Sequence, residues 1–350
     1  MTFFVRRRAA AALALVPALA LAACDAPSTA PSHVTYGAAV VVNSTGRSLS
    51  VIPTDAGAQT TTVPLGASGS PVSLAVRGNI AVVPMGTYPA AYVANLVTGA
   101  TAAANLPTGS GATGAAFVND TVAVVANSNL NTVSPVNVVT RAVGAQVPAG
   151  VFPQAVVAGD NRVYVIDANL VNFAPAGHGT VTVLDGALNP VGTVQLSGDN
   201  SAAAVLVGTT LYVVNSGHYG KNDGSLSVVN VATLKETKLV PGFGDFPGSI
   251  AASADGRILV GVYGKGILVY NPATGALERD AAHPIVPTGS TSVSAIGFDG
   301  LGRLYSADPG NCTDPGKLFR VTSETEANQV VATGVCPFAL AFTRLTVTIQ

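Results

Sequence analysis

The stretch Leu211-Tyr212-Val213-Val214-Asn215-Ser216-Gly217 decides the fold, because related phrases return along the whole chain. It follows a turn, runs as a short β-rich segment, and ends with Asn before an open loop. Its copies stand at residues 38–44, 121–127, 162–167, 257–263 and 303–308. Recurrence at a fixed period is a stronger indicator of architecture than any single segment.

The repeat has the length of a β-propeller blade. A run of small residues precedes each phrase, and these runs start 41 to 48 residues apart, at Pro71, Ala112, Pro153, Ser201, Pro247, Ser292 and Pro337. A four-stranded blade takes about 40–50 residues. Ala, Gly and Ser suit first strands that converge on an axis, and Val, Ile, Leu and Tyr suit the next two strands. The sequence therefore predicts an all-β, seven-bladed β-propeller of four-stranded antiparallel blades over residues 36–350.

The two ends of the repeat region complement each other. The chain supplies second, third and fourth strands at residues 38–44, 48–52 and 59–64, and it supplies a further first strand at residues 337–342. We expect these segments to form one blade, which closes the ring and removes two exposed sheet edges. The alternating tail at residues 345–350 has no assigned place.

The amino terminus has the pattern of an export signal. Three arginines at residues 6–8 precede an apolar run at residues 9–20, which is too short for a membrane span. Leu21-Ala22-Ala23-Cys24 then resembles the bacterial lipobox. The resemblance implies that residues 1–23 are a lipoprotein signal peptide and that Cys24 carries lipid, with residues 24–35 as a flexible tether. The protein is then exported and membrane-anchored, facing the periplasm or the cell surface. An ordinary secretory signal with a chance cysteine is the alternative.

A family resemblance rests on one repeat. The phrase at residues 211–217, the segment 225–233 and Pro247 with Asp255-Gly256 resemble the YVTN (surface-layer, YncE-like) β-propeller repeats. The resemblance implies a seven-bladed propeller outside the cytoplasm. Many proteins of these families bind or act as scaffolds, so the fold alone leaves the function open.

Two long insertions indicate where a ligand binds. Residues 167–179 and 215–224 follow second strands of adjacent repeats, so they share one rim of the propeller, and each contains a histidine. Extended loops on a rigid scaffold commonly carry binding sites, although they can also be solvated connectors. The candidate ligand-binding residues are Asp167, Asn169, His178, Asn215, His218, Tyr219, Asp223 and Asp308.

Other residues on this rim give weaker indications. Asp199, Asp245 and Asp314 add carboxylates, which suit Ca²⁺, but Asp is also a common turn residue. We therefore expect no cofactor and no metal, with Ca²⁺ left open as an alternative. Aromatic residues beside prolines, at Phe152, Phe246 and Phe338, either form a collar at the channel mouth or pack between blades, and we favour packing.

Two cysteines remain after Cys24. Cys312 and Cys336 lie on the same rim in the last repeat, and an exported protein allows them to oxidise. We expect a disulfide between them rather than two free thiols.

Composition excludes several classes of protein. A net charge of −1 gives no basic surface for nucleic acid, and the absence of Trp excludes WD repeats and quinoprotein docking motifs. All Glu residues fall on third-to-fourth-strand segments, away from the metal site of gluconolactonase-like enzymes. We expect a monomeric, non-enzymatic protein that is anchored to the membrane. It binds, or acts as a scaffold for, a protein, glycan or small ligand at the rim of the channel, and its expected partner is an envelope protein or glycan. The alternatives are a hydrolase or lactonase-like enzyme at the channel mouth, for which no catalytic residue is assigned, and a purely architectural envelope protein.

Overall fold

Seven four-stranded antiparallel sheets form a closed ring in this computed structural model, which describes residues 31–55, 59–322 and 327–349. Each inner strand packs against the inner strands of both neighbouring sheets, all the way round the axis. The seven-bladed propeller predicted from the repeat is confirmed. No helix among the described residues is both long and apolar enough to cross a membrane.

The blades follow the chain in order, each from its inner strand outward, apart from the closing blade. Blade 1 contains β1 (Ser32–Asn43), β2 (Ser48–Pro53) and β3 (Thr61–Pro64). Blade 2 contains β4 (Ala75–Arg77), β5 (Ile80–Pro84), β6 (Ala90–Asn95) and β7 (Thr101–Asn105). Blade 3 contains β8 (Ala112–Phe117), β9 (Val122–Asn127), β10 (Thr132–Asn137) and β11 (Val147–Pro148), with a 3₁₀ turn at Ser128–Leu130.

The second half of the ring is built in the same way. Blade 4 contains β12 (Pro153–Gly159), β13 (Arg162–Asp167), β16 (His178–Asp185) and β17 (Pro190–Asp199), with the small hairpin β14 (Leu170–Val171) and β15 (Ala174–Pro175) inserted. Blade 5 contains β18 (Ser201–Val207), β19 (Thr210–Asn215), β20 (Ser225–Asn230) and β21 (Lys235–Pro241). Blade 6 contains β22 (Pro247–Ala252), β23 (Ile258–Val262), β24 (Gly266–Asn271) and β25 (Ala276–Arg279). Blade 7 contains β26 (Ala295–Phe298), β27 (Leu304–Asp308), β28 (Pro315–Val321) and β29 (Ala327–Val335), and β30 (Pro337–Ile349) is the inner strand of blade 1.

The alternation of side chains in β19 explains why the phrase recurs. Leu211 and Val213 point to one face and pack against blade 4, whereas Tyr212 and Val214 point to the other face and pack against blade 6. Successive strand residues face opposite sides, so a run that is apolar throughout fits a sheet buried on both faces. Burying each large apolar side chain stabilises the fold by about 1.5–3 kcal/mol.

The Asn and Ser that end the phrase hold the blades together. The Asn215 amide nitrogen donates to the hydroxyls of Ser225 and Ser227, at 3.2 and 2.8 Å, within its own blade. The Ser216 hydroxyl donates to the carbonyl of Pro247 in the next blade, at 2.7 Å. The same Asn clasp, in which one amide joins two hydroxyls of the third strand, is made by Asn43 and Asn127.

The predicted closure is confirmed, and it extends further than expected. β1 and β30 pair from Ser32 opposite Ile349 to Asn43 opposite Pro337. The unassigned tail is therefore the end of β30, and it draws residues 32–35 of the expected tether into β1. Residues 1–30, with the signal peptide and Cys24, lie outside the described residues, so export and lipidation stay predictions.

The propeller has two different rims. The upper rim carries the loops from second to third strands and from fourth to first strands, and the lower rim carries the other hairpins. β1 enters at the lower rim and ends at the upper rim, where Ser44 N donates to the carbonyl of Cys336. A disulfide joins Cys312 to Cys336 across two upper-rim loops, with Cα atoms 4.3 Å apart.

Candidate functional site

The insertion in blade 4 projects a hydrophobic tip from the upper rim. After β13 the chain turns through residues with positive φ, including Asn172 and Phe173, and forms the hairpin of β14 and β15. The Phe173 side chain is 82% exposed, and its ring meets that of Phe152 edge-on at 5.8 Å. Phe152 thus packs against the insertion.

The insertion in blade 5 is closed by His218 and Asp223. The His218 backbone N donates to Asp223 Oδ1 at 2.8 Å, and its Nδ1 lies 2.9 Å from Oδ2. Gly217 has a φ of +68°, and a Cβ there would collide with Asp223 Oδ1. Burial raises the pKa of Asp223, but the hydrogen bonds and charge of His218 lower it further, so the carboxyl has a pKa below its usual range.

Asp199 connects the two insertions. His178 Nδ1 lies 2.8 Å from Asp199 Oδ1, and His218 Nδ1 lies 3.9 Å from Asp199 Oδ2. The Asp199 carbonyl also accepts the backbone N of Gly217 at 3.0 Å. The sequence places Asp199 on this rim but does not identify it as a ligand-binding residue. Its place before an inner strand was the only signal, and sequence could not show that it pairs with both histidines.

Three candidate residues are structural and do not face the rim. Asp167, Asn215 and Asp308 are buried at the ends of second strands. Asn215 forms the Asn clasp, and Asp308 accepts hydrogen bonds from Ser290 and Thr291. Because these three side chains are buried, their placement does not support direct contact with a ligand at the rim.

Asp167 occupies the clasp position of blade 4 with a carboxyl in place of an amide. Its Oδ2 accepts from the hydroxyls of Thr180 and Thr182 at 3.0 and 2.8 Å, while its Oδ1 is buried without a partner. Burial raises the pKa of Asp167 to about 6, although the hydrogen bonds from Thr182 and Thr180 oppose this. A charged carboxylate at this position destabilises the blade.

The remaining candidates divide by exposure. Asn169 shapes the loop, because it has positive φ and its amide nitrogen donates to the carbonyl of His178 at 3.0 Å. His178 and His218 present partly exposed imidazoles, and Asp223 is partly exposed beside His218. Tyr219 is 84% exposed and reaches towards the central channel.

Asp199 and Asp223 both lie beside His218, whereas Asp245 and Asp314 bind other groups. Within the described part of the chain, no group of three or more His, Cys, Asp or Glu side chains is placed to hold a metal. Asp245 instead accepts the backbone N of Gly220 at 2.7 Å, and Asp314 accepts the Asn311 side chain at 2.9 Å. The arrangement thus offers no support for the Ca²⁺ alternative.

The central channel opens at the upper rim as a cavity of about 680 Å³. Its walls come from inner strands and are mostly aliphatic, with Leu74, Val157, Ile250 and Leu340 among them. Four aromatic side chains stand at its mouth together with two charged ones, and we call these six residues the collar: Tyr219, Phe246, Tyr263, Phe338, Asp245 and Lys265.

The collar revises the expectation for the aromatic residues beside prolines. Phe246 is 42% exposed and Phe338 41% exposed, and both line the cavity, so they do not pack between blades. The Tyr219 ring meets Phe246 edge-on at 6.1 Å. Phe152, in contrast, packs on Phe173 as described above. The collar interpretation is therefore the correct one for two of the three.

Comparison with known proteins gives structural likeness only. No family model and no curated protein matches the sequence. Hydrazine synthase of Kuenenia stuttgartiensis is similar with a TM-score of 0.64 and 13% identity, over 78% of this chain and 90% of that one. The WD40 propeller domain of Doa1 is similar with a TM-score of 0.57 and 14% identity, over 77% of this chain and 85% of that one. A chain of the mitotic checkpoint complex is similar with a TM-score of 0.57 and 13% identity, over 99% of this chain and 89% of that one. At such identities the likeness concerns the fold alone, and that fold is a seven-bladed β-propeller.

Proposed function

We propose that this protein is an exported, lipid-anchored binding protein of the YVTN type, which holds a small ligand in the upper mouth of its channel. The observation that carries the proposal is the apolar cavity opening between exposed aromatic side chains. Its volume of about 680 Å³ falls in the range of small-molecule sites, about 300–1,000 Å³, which are also mostly apolar with a few polar groups.

The position of the amino terminus supports this arrangement. β1 starts at Ser32 on the lower rim, opposite the cavity mouth. The eight residues from Cys24 to Pro31 span at most about 28 Å when fully extended. A lipid on Cys24 would thus hold the lower rim near the membrane and leave the collar open to the aqueous compartment. A glycan or protein partner at the same rim, and the expected monomeric state, stay predictions.

The enzyme alternative has one feature in its favour. His178 and His218 each bring Nδ1 to a carboxylate, as an imidazole base does when a third group orients it. The described hydrogen bonds place no serine hydroxyl or cysteine thiol against either imidazole. The apolar cavity between aromatic side chains is an observed feature of the binding type, so binding is the function that the geometry supports better.

A channel-blocking variant tests the proposal. Gly248 lines the cavity, and a Cβ added there meets no atom within 4 Å, so Gly248→Trp places a bulky side chain in the channel without a clash at its base. Gly300→Trp on the lower rim is the matched control, since its added Cβ also meets nothing. The chain has no Trp of its own, so each variant carries one fluorophore that reports its surroundings.

The readout is the fluorescence of N-phenyl-1-naphthylamine, which increases in apolar sites. The probe should bind wild type and Gly300→Trp equally and lose most of its binding in Gly248→Trp. Equal binding by both variants, or none by wild type, would contradict the proposal. Turnover of an ester and lactone panel that disappears in a His178→Ala, His218→Ala double variant would favour the enzyme alternative.

A further inference from the structure

We propose that the channel selects an uncharged amphiphile, with its hydrocarbon body between the inner strands and a hydroxyl-type head between Asp245 and Lys265. The inference rests on the proposed function and names the chemical class of its ligand. It follows from three features of the cavity: neutral walls, two opposite charges at the mouth, and an aromatic pair attached to one of them.

The walls determine the body of the ligand. Below the collar the cavity is lined by aliphatic side chains with a few neutral polar ones, and it has no charged side chain. Moving a charged group into such a space without a partner is strongly unfavourable. A hydrocarbon gains from leaving water, at a rate that corresponds to about fourfold tighter binding for each buried methylene. The ligand body is therefore apolar and long enough to use the depth of the channel.

The two charges at the mouth determine the head. Asp245 and Lys265 line the same cavity, and none of the ion pairs among the described residues joins them. A charged head of either sign is attracted by one of these side chains and repelled by the other, while it also loses hydration. A hydroxyl, in contrast, can donate to the carboxylate and accept from the ammonium group. The mouth thus favours a head without net charge.

The aromatic pair links the head site to the body site. Asp245 Oδ1 accepts the backbone N of Gly220 at 2.7 Å, which fixes the loop next to Tyr219. Tyr219 in turn lies edge-on against Phe246, the residue that follows Asp245. The carboxylate that would accept a hydrogen bond from the ligand hydroxyl therefore also fixes the loop that carries Tyr219. The hydrocarbon would enter the channel beside the rings of Tyr219 and Phe246. Among the described residues no hydrogen bond involves Asp245 Oδ2, so this oxygen can accept the ligand hydroxyl.

Displacement of N-phenyl-1-naphthylamine tests the class of ligand. The protein is the chain from residue 25, which contains all of residues 32–349 that form the closed ring and avoids lipid or detergent that would absorb the probe. Competitors share one ten-carbon tail and differ in the head: 1-decanol below its solubility limit, and decanoate and decyltrimethylammonium below their micelle concentrations. Decanol should displace the probe at about tenfold lower concentration than either ion, and octanol should need about tenfold more than decanol.

Two charge variants make the test specific. Asp245→Asn keeps an acceptor for Gly220 N and removes the repulsion of anions, so decanoate should gain severalfold. Lys265→Gln should give the same gain to decyltrimethylammonium. Each ion is compared with decanol in the same protein, so any change in probe affinity cancels and the ratio reports the head site.

Each outcome decides one level of the argument. If either ion binds as well as decanol to the wild-type protein, or if chain length has no effect, the ligand class is wrong while the proposed function stands. If the probe binds neither wild type nor the two charge variants, the proposed function fails, and this inference fails with it.

Discussion

Replacing Asp167 by Asn should stabilise the protein at neutral pH, because it gives blade 4 the amide that three other blades have at this position. The Asp167 carboxyl is buried, one of its oxygens has no partner, and its pKa is raised to about 6 from 3.8. An Asn there carries no charge, and its Oδ1 can keep the hydrogen bonds that Asp167 Oδ2 accepts from the Thr180 and Thr182 hydroxyls and from Thr182 N.

The sign and size follow from proton linkage. A carboxyl with a raised pKa in the folded state costs nothing well below pH 3.8, where it is protonated in both states. Its cost grows as the pH rises towards 6 and is constant above that value. With these pKa values the cost is about 1 kcal/mol at pH 4.5 and about 3 kcal/mol at pH 8. The variant lacks this cost, so its advantage in unfolding free energy should grow by about 2 kcal/mol between the two values.

Urea unfolding followed by circular dichroism at pH 4.5 and pH 8 measures this difference. Asp185→Asn is the control, since the Asn189 side chain lowers the pKa of the exposed Asp185 carboxyl. The stability that a lowered pKa contributes is already complete above the unfolded value, so this variant should differ from wild type by nearly the same amount at pH 4.5 and pH 8. The reasoning is refuted if the advantage of Asp167→Asn is the same at both pH values, or if the variant is less stable than wild type at pH 8.

Four further predictions concern the scaffold and the anchor. The double variant Cys312→Ala, Cys336→Ala should lose about 3 kcal/mol of unfolding free energy, and reductant should lower the urea midpoint of wild type but not of the variant. Asn215→Ala leaves two buried hydroxyls without their donor and should cost about 1–3 kcal/mol in the same assay, whereas Gln195→Ala on an exposed outer strand should cost little. Asp199→Asn weakens the connection between the insertions, so limited proteolysis within residues 215–224 should accelerate; an unchanged cleavage rate would mean that the backbone contacts suffice. A signal peptidase II inhibitor should cause unprocessed precursor to accumulate in cells, and normal processing would refute lipidation of Cys24.

The fold could be predicted because its determinants are local and repeated. The alternation of Leu211 and Val213 with Tyr212 and Val214 requires a strand covered on both faces, and the spacing of its copies gives the blade. Closure followed from the three strands at the start and the extra strand at the end. The tail at Leu345 could not be placed, because most of its partner residues at 32–37 fall in the segment assigned to the tether, although Val34, Thr35 and Tyr36 are typical strand residues.

The candidate site was predicted less completely, because its determinants are contacts between distant residues. Asn215 and Asp167 resemble ligand-binding residues in sequence, and only their hydroxyl partners on the next strand show that they are clasps. The pairing of Asp199 with two histidines depends on the register between blades. The two long insertions were correctly placed side by side, since loop length and strand order are visible in sequence.

The pairing of β1 with β30 also determines how the molecule responds to force. If Cys24 is anchored in a membrane, any pull on the protein enters through Ser32 and acts along the axis of β1. Hydrogen bonds in an antiparallel pair lie perpendicular to the strands, so such a load shears the whole row at once and does not open it one bond at a time. β1 is held on both sides, by β30 along its full length and by β2 over its upper half. The blade that closes the ring is thus also the part of the molecule best arranged to bear a tether.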